Sequence, residues 1–239
     1  QDLLGSAVAL SADGPTLAVG APSEDGRTDG LQDSGAVYVY SRDADSWTFQ
    51  QYLSASDAAH DSEFGRAVAL SFNGDVLAAG GLRSRAYVFE RESANWTQQK
   101  IVRPDVFATF FGLSVALSAD GMTLAAGAPG EGSAATGVNN PSNEQKSESG
   151  AAYVFVRQSA DWVQQAYVKA SNTGESDLFG WSVSLSAEGN KLAVGARSEA
   201  GSGKGFNHLQ SDDGVPGAGA SYLFVHDGSN WHQTAADSV

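Results

Sequence analysis

Cysteine is absent from the 239-residue sequence. That excludes a disulfide scaffold, a thiolate zinc site and a Cys nucleophile. Basic residues are scarce: 14 Lys and Arg stand against 28 Asp and Glu, a net charge of −14. A protein that wraps nucleic acid needs surplus cations to displace counterions, so that class is excluded too. No stretch approaches the ~18 consecutive apolar residues of a helical membrane span. No 3.6-residue apolar period runs long enough to frame a helical fold. Paired metal-ligand His motifs are missing, and Gly201-Ser202-Gly203-Lys204-Gly205 shares only its glycine content with a phosphate loop. Of the four His residues (His60, His208, His226 and His232), His60 lies near Asp57 and Asp61, but no activated Ser or orienting partner can be named for any of them, and they read as surface residues.

What remains is a chain that is 41% hydrophobic, enough for a core, with 28 glycines. The opening Gln1-Asp2-Leu3-Leu4-Gly5 is compatible with a processed chain or a segment of a longer one. An acidic, Cys-free, Gly/Ser/Asn-rich composition points to an extracellular or cell-surface protein.

Self-comparison explains the glycines. Four segments begin alike: Leu4-Gly5 to Ser11, Phe64-Gly65 to Ser71, Phe111-Gly112 to Ser118 and Phe179-Gly180 to Ser186. Each continues through a turn ending in Gly14, Gly74, Gly121 or Gly189, then a short apolar run such as Leu77-Ala78-Ala79-Gly80. An aromatic run follows, such as Ala152-Tyr153-Val154-Phe155, and then a polar stretch that begins at Trp47, Trp96, Trp162 or Trp231. The anchor glycines lie 60, 47 and 68 residues apart. Short runs rich in Val, Tyr, Phe and Leu between turn residues are β-strands, four to a unit. Four-stranded units at this period are the signature of propeller blades. The expected fold is an all-β propeller of four four-stranded antiparallel blades in one domain over residues 1–239. The blades fall at approximately 1–56, 57–104, 105–171 and 172–239. A closed four-bladed ring is the favoured closure; the alternative is four blades of a larger seven- or eight-bladed ring. The first two strands of each blade, apolar and rich in Ala and Gly, are expected to be fully buried.

The run from Phe111-Gly112 through Ser114-Val115-Ala116-Leu117-Ser118 to Gly127-Ala128-Pro129 resembles the FG-GAP repeat, which builds the propeller of integrin alpha chains. The resemblance covers essentially the whole chain in four copies. Copy one has Leu4-Gly5 for Phe-Gly, copy two ends Gly80-Gly81-Leu82 and copy four Gly195-Ala196-Arg197. Integrin-type blades carry an Asp-x-Asp-x-Asp-Gly calcium loop between strands one and two. Here that hairpin is short (Ser11-Ala12-Asp13-Gly14), and one carboxylate does not supply the oxygens calcium takes. Those calcium sites are therefore not carried over. The integrin ring also has seven blades, against four here.

Function is expected on loops. The links between strands two and three are long in three blades (22–34, 129–149 and 197–218) and tight in blade two. They share one face with the links between successive blades, and together these segments hold 17 of the 28 carboxylates. The candidate binding face comprises Asp25, Asp29, Asp33, Asp57, Asp61, Trp181, Asp212 and Asp213. An acidic face favours cations, basic protein patches or neutral glycans. Calcium at Asp25, Asp29 and Asp33 is the one cofactor left open. Trp181 does not recur in the other copies and reads as packing or as a sugar-stacking platform. Asn95-Trp96-Thr97 is a candidate glycosylation sequon. The reading is a non-enzymatic binding, adhesion or structural module with a protein or glycan partner. A carbohydrate-binding lectin and a repeating subunit of a larger assembly are the alternatives, and a glycan-acting hydrolase is the remote one.

Overall fold

The computed structural model describes residues 1–27, 30–201 and 214–234. These residues contain sixteen strands and no helix. Blade one holds β1 (Ala7–Leu10), β2 (Thr16–Ala21), β3 (Ala36–Asp43) and β4 (Ser46–Leu53). Blade two holds β5 (Ala67–Leu70), β6 (Val76–Gly80), β7 (Ala86–Glu92) and β8 (Asn95–Val102). Blade three holds β9 (Ser114–Leu117), β10 (Thr123–Ala128), β11 (Ala151–Gln158) and β12 (Asp161–Val168). Blade four holds β13 (Phe179–Leu185), β14 (Lys191–Ala196), β15 (Ala220–His226) and β16 (Trp231–Gln233). Each set is a separate antiparallel meander with strands in chain order, as the repeat predicts.

The repeated residues have repeated jobs. The Ser that ends each first strand accepts from the backbone amide five residues on: Thr16 to Ser11, Val76 to Ser71, Thr123 to Ser118 and Lys191 to Ser186. The turn glycine closes the same hairpin, with Gly74 N donating to Ser71 O at 3.0 Å. The Phe-Gly pair sits in a tight turn, with Leu113 N donating to Phe110 O at 3.1 Å and Gly112 at φ +91°. Only glycine takes that conformation freely. The turn drives Phe111 into the joint between blades two and three, where it is fully buried edge-on to Tyr153 and Phe155. Phe64 fills the joint between blades one and two and Phe179 that between blades three and four in the same way.

The innermost strands correct one expectation. β6 is buried throughout and β10 all but its first residue, but β1, β5 and β9 are half-exposed or more. The first strands of neighbouring blades approach one another along the inside of the curve, so one of their faces lines open space. Their small residues serve close approach rather than full burial. A Cβ on Gly80 would lie 1.8 Å from Gly112 O of the next blade. Gly80→Ala therefore should cost about 3 kcal/mol, the upper end for overpacking, whereas Gly5→Ala, with no neighbour within 4 Å, meets only the strain of its own backbone. Urea denaturation of the two variants checks the difference.

Ring closure is the second correction. Gly20, Gly80 and Gly127 interlock with the Phe-Gly glycine of the following blade, but the nearest atoms to a Cβ on Gly195 all belong to Ser182 of its own blade. Backbone bonds on the turn face run Asp13 to Phe72, Phe72 to Ala119 and Ala119 to Ala187. Among the described residues this series of backbone bonds does not continue from blade four to blade one. The four blades form an arc.

Candidate binding face

The loops between strands two and three interlock with the links between blades, which confirms their shared side. Phe64 N donates to Ser34 O, Leu178 N to Glu148 O and Phe179 N to Ser149 O, each at 3.0–3.1 Å. These bonds fasten the end of each loop that enters the third strand to the neighbouring blade link.

At blade one the acidic residues converge. Asp25 Oδ1 accepts from Asp33 N at 3.0 Å, and Gln32 N donates to His60 Nδ1 at 3.1 Å. Asp61 N donates to Gln32 O and Glu63 N to Asp33 O, both at 3.0 Å. Asp25, Asp33 and Asp61 therefore lie in one strap, with Asp25 spent on shaping the loop. Asp29, Asp212 and Asp213 fall outside the described residues, as do His208 and the glycine-rich 202–205 segment. Among the described residues no group of three or more His, Asp or Glu is arranged to hold a metal ion.

Asp57 is placed differently. It pairs with Arg85, accepts from the Tyr87 hydroxyl at 2.9 Å, and has Arg103 at 3.5 Å. Burial, and then the Asp57 carboxylate, push the Tyr87 phenol up to about 12. Glu63 likewise pairs with Arg66, and Glu131 with Lys169. Arg85 comes from the link between the second and third strands of blade two, and Arg66, Arg103 and Lys169 come from links between blades. In the blade-one loop Glu24 has Arg27 at 3.8 Å, whereas Asp25, Asp33 and Asp61 form no ion pair among the described residues.

Trp181 is 37% exposed, and the Arg197 guanidinium lies 4.3 Å from its ring centroid. One face of the indole already holds a cation. Asn95 is exposed at the start of β8.

Blade three carries a cavity of about 320 Å³ that the sequence did not disclose. Its walls include Tyr153, Tyr167, Glu131, Ser133, Asn139 and Asp105. Below it Lys169 is fully buried, with Nζ donating to Glu131 Oε2 at 2.7 Å, Ser133 O at 2.8 Å and Ser149 Oγ at 2.7 Å. All three ammonium protons are used, as a buried charge requires. Burial still lowers the Lys169 pKa against the opposing pull of Glu131. The long loop is tied down by Asn139, whose N donates to Tyr167 O while its Oδ1 accepts from Tyr167 N, both at 2.8 Å. The Tyr167 hydroxyl reaches Ser133 Oγ at 3.2 Å. A tyrosine wall with carboxylate and amide groups at its rim can hold a small polar molecule that has one apolar face. The only sequence signal was Lys169 itself, a cation following the apolar end of β12 where blade one has Ser54.

At blade four Glu199 is 2% exposed, with Asn172 Nδ2 donating to its Oε1 at 3.0 Å. Burial, and then the neighbouring Asp177 charge, push its carboxyl up to about 6 from 4.5. The folded state thus holds a proton that the unfolded chain has lost. Ionising Glu199 costs stability, and the loss accrues as pH rises from 4.5 through about 6. Glu199→Gln should raise the melting temperature at pH above 6 and leave it unchanged below 4.5. Thermal melts across that range test this, and a gain independent of pH would contradict it.

Consecutive four-stranded meanders, packed face against face around a curve, define a β-propeller. The FG-GAP repeat model matches residues 1–40, 47–89 and 162–224, more than half of the sequence, and the chain belongs to the FG-GAP repeat family. The matched segments omit residues 90–161, although Phe111-Gly112 and Gly127-Ala128-Pro129 lie there. No curated protein matches the chain. Among solved structures it is similar to a putative 6-phosphogluconolactonase from Bacteroides uniformis ATCC 8492, at 14% identity and a TM-score of 0.54. The match covers 98% of this chain and 54% of that one, so this chain spans about half the length of its structural relative. At that identity the likeness is one of fold.

Proposed function

We propose that this chain is a non-enzymatic binding module of an extracellular or cell-surface protein, and that it engages a basic protein partner through its loop face. The observation that carries the reading is the strap at blade one. Asp25, Asp33 and Asp61 are gathered there by hydrogen bonds between a long loop and a blade link. Fixed carboxylates without matching cations attract Lys- and Arg-rich surfaces and speed their encounter. Membership of the FG-GAP family supports a propeller used for binding. A lysine-rich peptide is the probe. Its affinity for the chain should fall with salt, and Asp33→Asn with Asp61→Asn should weaken it at least tenfold. Asn suits both positions, since their φ angles are +49° and +55°. Peptide affinity equal in the double variant would overturn the reading.

The blade-three cavity favours a second ligand class, a neutral glycan. Tyr153 and Tyr167 supply the apolar wall on which a sugar ring stacks, with Asn139 and Glu131 to meet its hydroxyls. A glycan array with Tyr167→Ala as control checks it, and an array on which the two proteins behave alike would contradict it.

A further inference from the structure

The link between blades two and three departs from its counterparts. Counted from the last residue of the fourth strand, Val106 and Phe107 stand where the other two links have Asp57-Ala58 and Asn172-Thr173. Asp57 and Asn172 do a structural job: each accepts from a tyrosine hydroxyl of the next blade, Tyr87 at 2.9 Å and Tyr222 at 2.8 Å. The equivalent tyrosine of blade three is Tyr153, and Val106 has no group that can make that bond. Val106 and Phe107 instead face solvent, 76% and 78% exposed, more than any other large hydrophobic residue among those described. Phe110, where the preceding link has Glu63, is 39% exposed as well. Single apolar residues on a surface are ordinary, whereas a cluster of them marks a contact site.

The exposed pair is held in place. On one side Asp105 N donates to Gln164 Oε1 at 3.1 Å. On the other Ala108 is 1% exposed, inside the core between blades two and three. Two residues between two fixed points form a short tip that cannot fold back into that core. The tip also continues into further apolar surface, since Val106 shares the wall of the blade-three cavity with Pro141, Tyr153 and Tyr167. Its charge is negative. Asp105 is exposed and forms no ion pair among the described residues, while Arg103, the nearest cation in sequence, reaches Asp57 at 3.5 Å.

We propose that this tip is the apolar anchor of the partner interface. It takes a segment of a partner protein in which an aromatic or large aliphatic side chain lies next to lysine or arginine. The proposal rests on the loop face being the site for a basic protein, and it adds what holds that protein once it has arrived. Carboxylates speed the encounter with a basic surface and lose their hold as salt rises. Apolar side chains buried at the centre of a contact supply affinity that salt does not screen. Asp105 selects the basic flank, and Val106 with Phe107 selects the apolar residue beside it. The same charge disfavours a membrane as the occupant, because Asp105 and a net charge of −14 repel anionic headgroups.

Two peptides of equal length and charge test this. One contains only lysine and serine, and in the other a single tryptophan replaces one serine. The tryptophan peptide should bind the chain at least tenfold tighter, and that advantage should persist at high salt. Val106→Ser with Phe107→Ser should erase the advantage and leave the affinity of the tryptophan-free peptide within twofold. Both positions are exposed, so the variant should melt at the temperature of the parent chain. Asp33→Asn with Asp61→Asn should weaken both peptides and preserve the ratio between them, so a failure of the basic-partner reading and a failure of the anchor give different results. Equal affinity of the two peptides for the parent chain, or an advantage that survives in the serine variant, would overturn the proposal. Loss of neutral-glycan binding in the serine variant, with the peptide ratio unchanged, would overturn it too and assign the tip to the cavity.

Discussion

Phe111→Ala is expected to cost about 3–5 kcal/mol, the range for emptying a large buried aromatic site. Phe111 is completely buried, with ring centroids 5.5 Å from Tyr153 and 5.7 Å from Phe155, both nearly edge-on. It joins two blades that share no strand hydrogen bonds, so its loss removes cohesion that the sheets themselves do not supply. Domains of ordinary stability have about 5–15 kcal/mol in total, so this change takes a large fraction. The internal control is Leu4→Ala at the same repeat position, 56% exposed, where about 0.5 kcal/mol or less is expected. Equilibrium unfolding in urea compares the two. Equal effects would mean that the Phe-Gly residue does not act through the joint.

Lys169→Ala should be as damaging for a different reason. The ammonium group is fully buried, and three acceptors converge on it: Glu131 Oε2, Ser133 O and Ser149 Oγ. Removing one partner of a buried pair typically costs about 3–5 kcal/mol, because the other is left without compensation. Glu131 is 12% exposed, so part of its charge can still be met by water, which places the expected value at the lower end. Lys169→Met combined with Glu131→Gln keeps the volume and removes both charges. It should recover most of the loss. A double variant no better than Lys169→Ala would show that the hydrogen bonds to Ser133 and Ser149, rather than the charge pair, set the cost. The same network shapes the tyrosine-walled cavity, so glycan binding should fall in Lys169→Ala and return in the double variant only as far as the fold does.

The blades were legible because each repeated residue performs a local task that any copy needs. Ser118 caps its hairpin, Gly112 allows its turn, and Trp96 and Trp231 bond to the preceding blade, with Trp231 Nε1 donating to Gln165 Oε1 at 2.8 Å. The face shared by the loops was legible for the same reason, since strand order fixes it. What was not legible depends on neighbours. Trp47 has the same type and spacing as Trp96, yet it is 43% exposed against 3%: Trp96 packs on blade one and donates to Gln50 Oε1, and Trp47 has no such cover among the described residues. Asp57 stands in an acidic link by sequence and faces Arg85 and Arg103 in space. Arg197 follows an apolar strand by sequence and covers Trp181 in space. Lys169 follows the apolar end of β12 by sequence and is the most buried charge described. Sequence periodicity predicts how a blade is built, whereas charge pairing and exposure are set between blades.

The central claim is that recognition belongs to the loop face, at the strap of blade one, and not to the turn face. Peptide titration of two matched variants tests it most directly. One carries Asp33→Asn and Asp61→Asn on the loop face. The other carries Asp13→Asn and Glu188→Gln on the turn face, both exposed, so the change in net charge is the same. The account predicts that affinity for the lysine-rich peptide drops at least tenfold in the first and less than twofold in the second. Equal losses would reduce the effect to net charge, and a larger loss in the second would place the binding surface on the opposite side of the blades.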